Sequence, residues 1–127
     1  MSSFYRLLII DDDEVTLESF KEFFQKKNFK VDVANDGLTG LKLLESETPA
    51  FDIVITDLVM PGISGVGVTA IVKKKFADMP VIAITGWGEH PEALASEAHA
   101  DIVLRKPFEL AKLEKIILEI LDKKQSL

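Results

Sequence analysis

Cysteine is missing from all 127 residues, so neither a disulfide framework nor a thiolate metal site is available, and a reducing compartment is allowed. Histidine is scarce: His90 and His99 stand nine positions apart, which excludes an ordinary zinc centre. Long hydrophobic runs are lacking too. Leu7-Leu8-Ile9-Ile10 is four residues long and meets Asp11-Asp12-Asp13, which neither a signal peptide nor a membrane span would tolerate. No basic cluster exceeds Lys73-Lys74-Lys75 and Lys123-Lys124, and the net charge of −6 disfavours direct nucleic-acid binding. The chain is therefore expected to be cytoplasmic, with neither membrane nor nucleic acid among its direct partners.

What is present is enough for a core. With 47% hydrophobic residues, no repeat and no internal linker, residues 1–127 are expected to form one domain with a core from about residue 5 to 123. Short apolar runs at 6–10, 51–57, 80–85 and 102–104, with the alternating Lys30–Ala34, read as strands. Leu17, Phe20 and Phe24 mark a first helix over Glu14–Lys27, with Asp13 as its N-cap. Leu38, Leu41 and Leu44 mark a second, ended by Thr48-Pro49. A third, capped by Ser64, carries Val66, Ile71, Val72 and Phe76, and its two early glycines predict a loose start. A short fourth helix is expected after Pro91, over Ala93–Ala98. Leu110, Leu113, Ile117 and Ile120 mark the last.

Such alternation predicts an α/β fold: a five-stranded parallel sheet in the flavodoxin-like order 2-1-3-4-5, with helices on both faces. Polar residues then collect at one edge of the sheet, where Asp11 and Asp12, Asp57, Thr85 and Lys106 each follow a strand. Asp57 is the central one. It closes the apolar run Phe51–Thr56 and precedes Pro61-Gly62, and a charge there costs several kcal/mol unless it has a partner at the strand mouth.

Carboxylates crowded at that edge repel on the order of 4 kcal/mol per pair at contact, at an effective dielectric of about 20. A hard divalent cation with oxygen ligands, Mg2+ or Mn2+ in its place, resolves this and leaves positions for phosphate oxygens. Asp57 could then attack phosphorus, with Lys106 neutralising one phosphoryl oxygen and the Thr85 hydroxyl donating to another.

Taken together, Asp11-Asp12, Asp57 with Met60-Pro61, Thr85 and Lys106-Pro107-Phe108 resemble the receiver domains of two-component response regulators, in order and over nearly the whole chain. The resemblance implies a domain that takes phosphate from a histidine kinase or phosphotransfer protein onto Asp57. It implies direct Mg2+ ligation by Asp12, ligation largely through water by Asp11, a further ligand in the Val59 carbonyl, and a cis Lys106–Pro107 peptide. It further implies a switch in which Thr85 moves toward the phosphate and an aromatic three residues before the lysine swings inward. That position is Val103 here, and Gly86 follows Thr85, so Trp87 on its glycine-flanked tip is the candidate for the coupling. The expected readout is a downstream protein partner or an output domain absent from this sequence, in a monomer or weak homodimer.

Competing readings have weaker support. Gly65-Val66-Gly67-Val68-Thr69-Ala70 fits a dinucleotide fingerprint, but eight residues separate it from the strand it should follow at once. A Mg2+-dependent phosphohydrolase would usually need a second acid near its nucleophile, where Val59 stands. A receiver-shaped module that takes no phosphate would have no use for the complete set of Asp11, Asp12, Asp57, Thr85 and Lys106. Asp32, Asp36, Asp52 and Asp101 read as turn or surface acids.

Overall fold

The computed structural model describes residues 4–46, 51–86 and 99–125. Five strands, β1 (Arg6–Ile10), β2 (Lys30–Ala34), β3 (Ile53–Asp57), β4 (Val81–Thr85) and β5 (Ile102–Arg105), form one parallel sheet in the order β2-β1-β3-β4-β5. Four helices are described with it: α1 (Glu14–Gln25), α2 (Gly37–Ser46), α3 (Gly65–Lys75) and α4 (Leu110–Gln125). The fold and the strand order are those expected. The helix expected after Pro91, together with Trp87, His90 and Thr48-Pro49, lies outside the described residues. Among the described residues, no helix is long and apolar enough to cross a membrane.

The two-residue period of a strand divides the core in two. Leu7, Ile9, Ile53, Ile55, Ile82 and Ile84 point to one face, where Leu17, Phe20 and Phe24 of α1 and Leu113 and Ile117 of α4 cover them. Leu8, Ile10, Val54 and Val81 point to the other, under Leu41 and Leu44 of α2 and Val68 and Val72 of α3. Since both faces are covered, β1, β3 and β4 carry continuous apolar runs, Leu7–Ile10, Ile53–Ile55 and Val81–Ile84, rather than alternating. Full burial of a side chain such as Phe24 contributes roughly 1.5–3 kcal/mol.

Three local expectations need correction. Leu38 is exposed, and α2 buries Gly37, Gly40, Leu41 and Leu44 instead. Glycine there has a steric cause: a methyl group on Gly40 would run into the Ile10 side chain. In α3 the buried face is Gly65, Val68, Thr69 and Val72, while Val66 and Ile71 are only partly covered and Phe76 is the C-cap. Apolar residues surround this short helix, so their spacing alone could not choose a face. Nor is its start loose. The Ser64 side chain accepts from the Gly67 N–H, and the Gly65 N–H donates to the Leu58 carbonyl at 2.9 Å.

Asp13 caps α1 as expected, accepting from the Val15 N–H and the Thr16 hydroxyl. The acids read as surface groups do more than that. Asp32 pairs with Arg6 at 2.8 Å, Asp52 accepts from the Arg6 N–H, and Asp36 accepts from the Thr39 N–H in the first turn of α2. Asp101 accepts from both the Val81 N–H and Lys73, tying the approach to β5 onto the start of β4.

Candidate functional site

The register of the parallel sheet builds the site. Ile10 pairs with Thr56, so the next residues, Asp11 and Asp57, emerge side by side from β1 and β3. Asp57 in turn pairs with Ile84, which puts Thr85 one residue further along β4. Thr85 pairs with Arg105, and Lys106 follows. Four strand ends thus deliver two acids, a hydroxyl and an ammonium to the same edge, at the crevice typical of open α/β sheets.

Carboxylate oxygens of Asp11, Asp12 and Asp57 all lie within 4.8 Å of one another. Asp11 is buried, with its carboxylate accepting from the Asp13 N–H at 2.9 Å, whereas Asp12 is exposed. Lys106 reaches back across the end of β4, placing Nζ 3.9 Å from Asp11 Oδ2 and 4.0 Å from Asp57 Oδ2. Its own N–H donates to the Thr85 carbonyl at 2.8 Å, and the Lys106–Pro107 peptide is cis, as expected.

The electrostatics follow from this crowding. Burial pushes the Asp57 carboxyl up to about 6, with the Asp11 charge adding to the rise and the Lys106 ammonium and Val59 N–H opposing it. Burial likewise raises Asp11, against the Asp13 N–H and Lys106. One lysine does not offset three acids. An oxygen-only donor set with excess negative charge suits a hard divalent cation, and Asp11, Asp12 and Asp57 are the side chains that could hold one.

Thr85 is fully buried, and its Oγ1 has no hydrogen-bond partner among the described residues. Buried hydroxyls are nearly always paired, so an orphan at a strand end beside an acidic cluster is a donor awaiting an acceptor. Of the other expected site residues, Val59 is 53% exposed and adjoins Asp57 through its backbone N–H. Val103 is half-buried and packs against the small cluster of Leu58 and Ala83. Trp87 lies outside the described residues.

Two residues not expected at the site, Thr56 and Gly65, hold the Asp57 backbone. Thr56 Oγ1 donates to the Asp57 carbonyl at 3.0 Å, and Gly65 packs directly on that carbonyl. The one sequence signal was the glycine opening α3, which reads by itself as a cost to the helix and as the start of the Gly65–Ala70 fingerprint.

Residues 7–118 match the model of the response regulator receiver domain family. The chain belongs to that family. Among the curated relatives this receiver matches, the response regulator MprA of Mycolicibacterium vanbaalenii is 33% identical over 109 residues, covering 85% of this chain and 46% of that protein. Transcription factor SKN7 of Saccharomyces cerevisiae is 30% identical over 118 residues, covering 92% of this chain and 19% of that protein. The receiver therefore spans less than half the length of either relative. Among solved structures, a response regulator receiver domain protein from Clostridium thermocellum superposes with a TM-score of 0.89 at 30% identity, over 96% of this chain and 98% of that one. Response regulator TrrA from Thermotoga maritima, in complex with Mg2+ and BeF, gives a TM-score of 0.83 at 33% identity, over 93% and 100%.

Proposed function

We propose that this receiver accepts a phosphoryl group onto Asp57 from a histidine kinase or phosphotransfer protein, with Mg2+, or Mn2+ in its place, as cofactor. The convergence of Lys106 on both Asp11 and Asp57 carries this reading, because it sets a cation where charge on a transferring phosphoryl group must be met. A carboxyl at about 6 is mostly ionised at pH 7 and above, so Asp57 is available as the nucleophile. An Asp57 oxygen attacks phosphorus, the bond from phosphorus to the donor's nitrogen breaks, and an aspartyl phosphate results. Lys106 stabilises the added negative charge, and the unpaired Thr85 hydroxyl donates to a phosphoryl oxygen.

Asp11, Asp12, Asp57 and the Val59 carbonyl would hold the cation. When bound, Mg2+ supplies the positive charge that offsets the acidic cluster and the incoming phosphoryl oxygens. Residues 1–127 then act as one receiver unit with a core over about 5–123, catalysing only its own phosphorylation and dephosphorylation, in the cytoplasm. As a monomer or weak homodimer, the receiver passes the change to a downstream protein or an output domain. Thr85 is the first moving part. Val103 gives the usual aromatic no counterpart, so Trp87 carries the coupling, and Trp87→Ala should alter phosphorylation kinetics or partner affinity.

Incubation with Mg2+ and acetyl phosphate, read by intact mass, tests the acceptor. A hydroxylamine-labile phosphoryl adduct that disappears in Asp57→Ala is expected. An adduct retained by the variant, or none in the parent with either this donor or a histidine kinase, would overturn the reading.

A further inference from the structure

We infer that Gly65 and Thr56 are positioning residues that aim the Asp57 carboxylate by clamping its backbone. The inference rests on Asp57 being the phosphoacceptor. The hydrogen bond raised against the Asp57 carboxylate comes from the Val59 N–H, and Lys106 stands 4.0 Å away. Among the described residues these are the attractive contacts of the carboxylate, so its aim depends strongly on where the backbone holds its Cα.

That backbone is gripped from three directions. The Leu58 N–H donates to the Ile84 carbonyl at 2.9 Å, continuing the sheet past Asp57. Thr56, fully buried, donates its hydroxyl to the Asp57 carbonyl at 3.0 Å. Gly65 closes the third side: a methyl group there would lie 2.6 Å from both Asp57 C and Leu58 Cα, and closer still to Asp57 O. All three are backbone atoms and cannot swing aside, unlike the Ile10 side chain that a methyl group on Gly40 would meet. At Gly67, two residues along the same helix, a methyl group would meet only side chains, the nearest being Ile63 at 3.3 Å, a tight contact that a shift of a few tenths of an ångström in that side chain relieves. Glycine at 65 is thus a requirement of contact with the acceptor, whereas glycine at 67 is not.

The test uses the full chain as Gly65→Ala, Thr56→Val, Gly67→Ala and Leu44→Ala, the last creating a cavity under α2. For each, the rate of adduct formation with acetyl phosphate, the dissociation constant for Mg2+ alone and the Tm are measured, the first two well below the lowest Tm. Gly65→Ala is expected to slow phosphorylation on the order of 10²-fold, the cost of a misplaced reacting group, and to weaken Mg2+ binding. Thr56→Val should slow it several-fold with cooperative unfolding retained. Gly67→Ala should match the parent, and Leu44→Ala should lose Tm while keeping parental rate and Mg2+ affinity.

Parental rate and Mg2+ affinity in folded Gly65→Ala and Thr56→Val would overturn the inference, as would equal losses in Leu44→Ala. Should Gly65→Ala not fold, Thr56→Val decides alone. A parent that gains no phosphoryl mass from either acetyl phosphate or a histidine kinase would refute the acceptor reading instead, and the Mg2+ affinities would still decide whether the clamp positions Asp57.

Discussion

Lys106 Nζ stands 4.0 Å from Asp57 Oδ2, at the outer limit of an ion pair rather than in a hydrogen bond. The lysine is held near the acid without being spent on it, which leaves its donors for a third group. Its side chain is more than one-third exposed, so water screens the attraction to the low end of the Coulomb range, about 1 kcal/mol at this distance. Lys106→Gln should therefore bind Mg2+ somewhat more tightly, by up to roughly fivefold, because a competing positive charge is gone. Phosphorylation by acetyl phosphate should fall roughly 10²-fold, the usual effect of removing one charge-stabilising donor. Weaker Mg2+ binding in the variant would contradict this separation of roles.

The raised pKa of Asp57 predicts an unusual pH dependence for the metal-free protein. The carboxyl titrates near 3.8 when unfolded and at about 6 when folded, so between these values the native state holds more protons. Its favourable contribution is complete below 3.8 and lost as pH rises through about 6, a difference of roughly 3 kcal/mol for a side chain only 12% exposed. In EDTA, Asp57→Asn should be more stable than the parent at pH 7.5 by up to that amount, and the gap should close toward pH 4. Urea unfolding of both proteins across pH 4–8 measures it, and a gap that widens on acidification would refute the assignment.

Thr85→Val should separate stability from signalling. Replacing an unpaired buried hydroxyl with an isosteric methyl removes a desolvation cost, so urea unfolding should show a gain of about 1 kcal/mol. The phosphorylated form should lose its conformational response. Destabilisation by Thr85→Val would mean that the hydroxyl is already engaged in the resting protein.

Asp13 belongs to the helix and not to the acidic cluster beside it. Its carboxylate accepts from the Thr16 hydroxyl and the Val15 N–H, which hold its pKa below the ordinary value. Asp13→Ala should lower the Tm by a few degrees and leave Mg2+ affinity and phosphorylation intact, with Asp13→Asn restoring most of the Tm. Loss of Mg2+ binding would move Asp13 into the cation site.

The sheet and the polar strand ends were legible because burial on both faces writes short apolar runs into a chain, and a charge that terminates such a run stands out. Asp57 after Ile53–Thr56 and Lys106 after Ile102–Leu104 could be placed on those grounds. Other features depend on which residues meet across the fold, and a linear pattern does not record that. The exposure of Leu38, the choice of Val68 and Val72 over Val66 and Ile71 as the buried face of α3, and the bond from Asp101 to a strand twenty residues away are of this kind. Gly65 shows the difference most clearly. By propensity it weakens a helix, while in three dimensions it lets that helix rest on the Asp57 carbonyl.

The central claim is that Asp57 itself takes the phosphoryl group, and the most direct measurement locates the modification. After incubation with Mg2+ and acetyl phosphate, borohydride reduction converts an aspartyl phosphate to homoserine, and peptide mass mapping then finds the changed residue. The account predicts homoserine at position 57 and at no other acid. Homoserine at position 11 or 12, or a phosphoryl group on a serine or threonine with Asp57 unchanged, would contradict it.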